Sequence, residues 1–233
     1  MVFFVFIHHS QGKDKMRLYY FTTARFGLEA IRDSRLKIAR INELNDPFEF
    51  LGLKLTRNNR KLLREWKNSL SEKYGLVCMS QDWHHPLLWA HYADKHQGLC
   101  LGFDVAENGK FSKVEYHEER PTLSEFGCNT FDDFNESHMR KLLFRKFSAW
   151  NYETEYRTFS KLEEKDPING LYFLPFNEDM KLVEVIVGER STLTRSKLAC
   201  VLGGSAETVK SIKARAGFQK FEVVENKDKS IWN

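Results

Sequence analysis

The chain has little of what usually marks a protein class. Its 233 residues contain four cysteines, Cys78, Cys100, Cys128 and Cys200, and no CxxC pair. That spacing excludes a dense disulfide framework and reads as reduced thiols in a cytoplasmic protein. Long hydrophobic runs are missing too. The opening MVFFVFIHHS holds an apolar run of six residues, with no basic leader or small-residue cleavage site. A spanning helix needs roughly 20 apolar residues, so neither a membrane span nor a signal peptide is expected. Residues 1–15 read as an edge strand or as an N-terminal extension ahead of a start at Met16.

Charge of one sign is not concentrated either: the formal net charge is +4, with 29% charged residues spread along the chain. This mild basic bias permits a phosphate-bearing ligand without demanding one. GxGxxG, Walker, GxSxG and HExxH patterns are all absent, which disfavours dinucleotide-fold, P-loop, serine-hydrolase and zinc-protease chemistry. The histidines between Cys78 and Cys100 match no zinc spacing, and no metal is expected. Repeats, low-complexity tracts and linkers are lacking, so residues 1–233 read as one domain.

What is present is 42% hydrophobic and 14% aromatic residues, ample for a core. RLYYFTT reads as a strand, then a helix over ARFGLEAIRDS with Thr23 as N-cap and Phe26, Ala30 and Ile31 on its apolar side. RLKIARI reads as a second strand. Leu62, Leu63, Trp66 and Leu70 have helical spacing, with Gly75 as a stop. GLVCMS, GLCLGFDV, KLVEVIVG and QKFEVVE read as strands, the third of them central. HPLLWAHYADKH reads as a helix, and a helical pair surrounds Gly203 and Gly204. A basic amphipathic helix is expected within FDDFNESHMRKLLFRKF, with Arg140, Lys141, Arg145 and Lys146 on its cationic side. Strands and helices do not alternate regularly, which predicts α+β.

Three stretches carry polar groups that packing alone does not require. ELNDPFEF is either an Asx-Pro turn anchored by Phe48 and Phe50, or a pocket rim presenting Asn45 and Asp46. LLWAHYAD packs its aromatics by default, with His91 and Tyr92 able to bring polar tips to a pocket edge. WNYETEYR, read as a strand, lines up Glu153, Glu155 and Arg157 on one face. Two carboxylates about 7 Å apart repel each other unless Arg157 or a lysine compensates. That segment is either an exposed strand with bridged acids or a rigid element presenting two acids to a cleft.

Taken in order, FTT…INELNDPFEF, LVCMSQDWHHPLLWAHYADKHQGLCLGFD, WNYETEYR and LVEVIVGER resemble the bacterial domain of unknown function family 2971. More distantly, the chain is similar to ADP-ribosyltransferases, particularly the DarT type that modifies DNA. That type opens with a His-x-Thr strand; here YFT keeps Thr22 and puts Tyr20 in place of the histidine. No arginine precedes Pro86; DWHH stands there instead. ETE is similar to the ExE or QxE element of these transferases.

The resemblance implies a single α+β domain with a split mixed sheet flanked by helices, and NAD as substrate. It further implies Glu155 as the catalytic acid and Glu153 in a substrate-facing role. Tyr20 and Thr22 would bind the nicotinamide half, Ser80 and Trp89 would shape the pocket, and Asn45, His91 and Tyr92 would complete its rim. DNA, RNA or a protein would be the acceptor. A toxin or phage-defence effector fits such an activity, with an antitoxin or defence-system protein as partner. Two other readings stay open: an inactive module of the same fold that binds a nucleotide or a partner, and a nuclease using Glu153, Glu155 and Asp46 around Mg²⁺.

Overall fold

The computed structural model describes residues 14–46, 48–49, 52–228 and 230–232. The apolar opening run and the anchoring role expected of Phe50 lie outside them. Strand β1 (Lys15–Thr22) leads into α1 (Ala24–Arg32), whose first turn is capped as expected: the Thr23 side-chain oxygen accepts from the Phe26 amide at 3.3 Å. The buried stripe of α1 runs through Gly27, Ala30 and Ile31, leaving Phe26 on its flank and 56% exposed. The expected second strand divides into β2 (Arg35–Lys37), which pairs with residues 173–175 and continues that ladder through the Ile38 amide to the Tyr172 carbonyl, and β3 (Ala39–Arg40), which pairs with Leu76 and Gly75.

Helix α2 (Arg57–Lys73) runs straight into β4 (Tyr74–Ser80), so Gly75 is a strand residue and not a helix stop. A Cβ there would lie 2.5 Å from the Ile38 side chain and 2.6 Å from the Ala39 carbonyl, which explains the glycine by close approach of β3. Next come α3 (Pro86–Tyr92), β5 (Leu99–Ala106), β6 (Phe111–Lys113), β7 (Glu115–His117) and α4 (Glu136–Leu143). They are followed by β8 (Arg145–Phe147), β9 (Glu155–Lys161), β10 (Phe173–Pro175), β11 (Met180–Val187), α5 (Arg195–Leu202), β12 (Lys210–Ala216) and β13 (Val223–Glu225). Helix α3 ends earlier than its pattern suggests, since Asp94, Lys95 and His96 all take left-handed backbone conformations.

The main sheet has the order β13-β12-β11-β5-β1-β4-β9-β6, with β3 also paired to β4. It is mixed, because β11 and β12 are parallel while their neighbours are antiparallel. This is the expected α+β arrangement, and β11 is the interior strand its apolar run predicted. Strand β12, by contrast, is hidden in KSIKARA, whose two lysines and one arginine mask a buried Ile212 and Ala214.

One seam matters for function. Strand β1 pairs with β5 along its whole length, from Lys15↔Ala106 to Thr22↔Leu99, but meets β4 at Tyr19↔Ser80. The two halves of the sheet diverge from that contact. One core, around Leu18, Leu101 and Phe103, packs against α1 and α5; a second, around Ile41, Leu63, Leu76 and Leu142, lies beneath α2 and α4. Among the described residues no helix is long and apolar enough to cross a membrane.

Candidate functional site

A cleft of about 330 Å³ opens where β1 and β4 part. Its lining includes Tyr20 and Ser80 from the two diverging strands, Asn45 from the ELNDPFEF loop, Tyr92 from α3, and Glu153 and Glu155 beside β9. Six of the residues singled out from sequence therefore meet in one place. Thr22, Trp89 and His91 are not among the lining residues. Thr22 is buried, with its methyl group close to Gly27. Trp89 is fully buried and donates its indole N–H to the Trp83 carbonyl at 2.6 Å, so it is core. His91 is exposed on α3, next to the rings of Tyr92 and Trp150.

The segment WNYETEYR departs from a continuous strand. Ser148–Glu153 forms a 3₁₀ turn, Thr154 is left-handed at φ 42, and β9 begins at Glu155. Glu155 and Arg157 still share a face, as a period of two requires. Glu153 reaches the same centre from the preceding turn, and Tyr152 stacks on His85 instead of lining a strand face.

These groups form a buried ionic network. Arg157, 1% exposed, donates Nε to Glu155 Oε1 at 2.7 Å and Nη2 to Glu155 Oε2 at 3.0 Å, while Nη1 donates to the Leu143 carbonyl at 2.6 Å. Lys146 Nζ donates to Glu153 Oε2 at 2.6 Å and Glu155 Oε2 at 3.1 Å, and lies 3.3 Å from Glu49 Oε1. Glu49 Oε2 is 2.7 Å from Arg157 Nη2 but off the N–H direction, so this contact is ionic more than hydrogen-bonded. The Tyr92 hydroxyl donates to Glu153 Oε1 at 2.5 Å. The Tyr116 hydroxyl accepts from the Glu155 amide at 2.9 Å.

Sequence reasoning missed two charged members of this network. Lys146 was expected on the solvated side of a longer helix, but α4 ends at Leu143 and Lys146 points inward from β8. The repulsion between the ETE carboxylates was the signal that a lysine was needed, although it did not say which. Glu49 sits in the ELNDPFEF turn and had no such signal.

Three carboxylates face two cations here, and the charge surplus falls unevenly. Burial pushes Glu153 above the usual carboxylate range, with Glu155 adding to the rise and Lys146 opposing it. Burial acts the same way on Glu155, yet Arg157 and Lys146 outweigh it and pull that group down to about 2. Burial and Glu153 raise the Tyr92 hydroxyl, which stays a donor. Glu155 accepts twice from Arg157 and once from Lys146, three bonds that all come from cations. Glu153 accepts only two bonds, from Tyr92 and Lys146.

The depressed value makes a pH prediction with a definite sign. Glu155 contributes stability that is complete above its ordinary value of 4.5 and is lost as pH falls toward about 2. Urea unfolding of the wild type should weaken over that window. Glu155→Gln should begin less stable at neutral pH and lose less on acidification; parallel curves for the two proteins would refute the assignment.

Among the described residues no group of three His, Cys, Asp or Glu side chains is placed to hold a metal ion. Of the three acids in the nuclease reading, Glu153 and Glu155 are bonded to Lys146 and Asp46 accepts from the Phe48 amide at 2.8 Å.

Comparison with known proteins bears on the stretch that builds this cleft. Residues 88–158 match the model of a family described as protein of unknown function (DUF2971). The resemblance to that family is thus borne out over a segment that runs from α3 into β9. Tyr92, Lys146, Glu153, Glu155 and Arg157 all fall inside it, whereas Tyr20, Asn45, Glu49 and Ser80 lie before it. No curated protein and no solved structure matches the chain. The domain of unknown function family brings no activity with it, so the chemistry must be argued from the cleft.

Proposed function

We propose that the cleft binds the nicotinamide-ribose half of NAD and transfers ADP-ribose to a nucleophilic acceptor, with Glu153 as the proton-accepting carboxylate. The observation that carries this reading is Glu153 itself: a buried carboxyl of raised basicity, held between Tyr92 and Lys146 at the wall of an aromatic cleft. NAD supplies a glycosidic bond whose cleavage leaves the electron pair on nicotinamide and develops positive charge at the anomeric carbon. The acceptor X–H forms the new bond to that carbon, and its proton goes to Glu153. The surplus negative charge of the network favours the developing cation.

Size and charge support the donor half in particular. A volume near 330 Å³ is at the lower end of the roughly 300–1,000 Å³ typical of small-molecule sites. The lining cations are Lys37, Lys146 and Arg157, and each is paired with a glutamate. The lining therefore suits an electron-poor ring and a sugar better than a diphosphate, in keeping with the arginine missing before Pro86. In this reading Glu155 is a positioning residue: its carboxylate, held by Arg157 through two bonds, fixes Lys146 and so orients Glu153. We place the activity in the cytoplasm, a reading that the four free cysteines support.

The engagement of Glu155 by Arg157 and Lys146 also favours a second reading, an inactive module of the same fold that binds a nucleotide without turning it over. Nicotinamide release from NAD by purified protein, with DNA, RNA and protein fractions offered as acceptors, separates the two. Release that Glu153→Gln removes supports transfer. Calorimetric NAD binding with no release from any mixture would replace transfer by the binding module.

A further inference from the structure

The cationic surface expected at Arg140 to Lys146 does not form, because Lys146 is buried in the network and Arg145 pairs with Glu125 at 3.3 Å. Unpaired cations gather instead on α2. Arg57, Arg60, Lys61 and Arg64 are all exposed there. Lys61 reaches Glu65 at 3.8 Å, while the three arginines make no ion pair among the described residues. At helical spacing Arg57, Arg60, Lys61, Arg64 and Asn68 fall within an arc of about 100°.

The same arc leads to the cleft. Farther along α2, the Asn68 side-chain oxygen accepts from Asn42 Nδ2 at 3.1 Å, and the Ser71 hydroxyl oxygen accepts from the Asn42 amide at 3.1 Å. The Ser71 carbonyl accepts from Arg40 Nε at 3.1 Å. These bonds seat the 3₁₀ turn Ile41–Glu43 on the helix, and Glu43, Leu44 and Asn45 then line the cleft. Arg57 and Ser71 are separated by about 21 Å along the helix axis. A chain lying on the arginines thus arrives at the cleft rim.

We propose that this face of α2 binds the backbone of a single-stranded nucleic acid and delivers one of its nucleotides to the cleft as the acceptor. The proposal rests on the transferase reading for the acceptor role but not for the binding. Three guanidinium groups offer forked donors that match phosphate oxygens, and about 10 Å separates Arg57 from Arg64. A lipid surface fits less well. The apolar face of α2, through Leu63 and Leu70, is already spent on the core, and a membrane-surface helix needs that face free.

Fluorescence anisotropy of labelled single-stranded DNA and RNA, read with the full chain and with Arg57→Glu/Arg60→Glu/Arg64→Glu, tests the inference. All three positions are exposed, so circular dichroism of the variant should match wild type. The expected result is a loss of at least about tenfold in affinity, and a wild-type salt slope near −2 on logarithmic axes that flattens in the variant. Equal affinity of variant and wild type would overturn the inference, as would equally tight wild-type binding to anionic vesicles or polyglutamate. NAD cleavage without oligonucleotide binding would sink this surface and leave the transferase reading intact. Arginine-dependent binding with no NAD cleavage under any condition would do the reverse.

Discussion

Glu153→Gln should lower nicotinamide release by about 10²- to 10⁴-fold, the usual worth of a positioned acid-base group, while leaving the protein as stable as wild type or more so. The two halves of this expectation have one cause. Glu153 is the member of the network whose ionised form the fold disfavours, since burial and Glu155 raise it. A carboxyl raised in the folded state contributes stability at low pH that disappears as pH rises through its folded value. At neutral pH its charge is therefore a cost, and removing it leaves Glu49 and Glu155 balanced against Lys146 and Arg157. Glutamine can turn its oxygen to Lys146 and its amide to the Tyr92 hydroxyl, so neither contact is orphaned. Turnover and urea midpoint should be measured on the same preparation. Unchanged turnover in a stable variant would deny Glu153 its role, and a large drop in midpoint would make it a structural residue instead.

Arg157→Met should have the largest effect on stability, about 3–5 kcal/mol at neutral pH. Its guanidinium is 1% exposed and holds Glu155 through two hydrogen bonds, Glu49 through an ion pair, and the Leu143 carbonyl. Methionine fills much of the volume but strands two buried carboxylates that only Lys146 then faces. Arg157→Lys should recover little, because an ammonium cannot make the two parallel bonds to Glu155. Acid should partly rescue the methionine variant: with the guanidinium gone, burial of Glu155 loses its main opposing charge, and protonation of that carboxylate favours the fold. Denaturant titrations at neutral and mildly acidic pH would show the gap to wild type narrowing. A gap that is small, or that widens in acid, would mean that the network does not hold the cleft together.

The elements differ in how readable they were. Strands β1, β4, β5 and β11, the Thr23 cap and the body of α2 follow from alternation, apolar spacing and a capping hydroxyl, all of which act within a few residues. The pairing of Glu155 with Arg157 is equally local, since a strand period of two places them on one face whatever surrounds it. Tyr20 and Ser80 come from motif resemblance, Asn45 and Tyr92 from polar groups that packing does not require, and the fold brings all four to one cleft. Thr22 and Trp89 came from the same motifs and are core, because a motif does not say which side of its element meets the cleft.

By itself, then, the sequence determined the α+β class, most of the strands that carry the cleft, and a pair of acids that demanded a counter-charge. Tertiary structure alone decided which groups answer that demand. Helix α4 ends at Leu143, β8 turns Lys146 inward, the left-handed Thr154 swings Glu153 off the strand, and the ELNDPFEF turn brings in Glu49. Local periodicity fixes the direction of a side chain relative to its own element. The charge and dielectric that the side chain meets are set by other elements, distant in the chain, that fold against it.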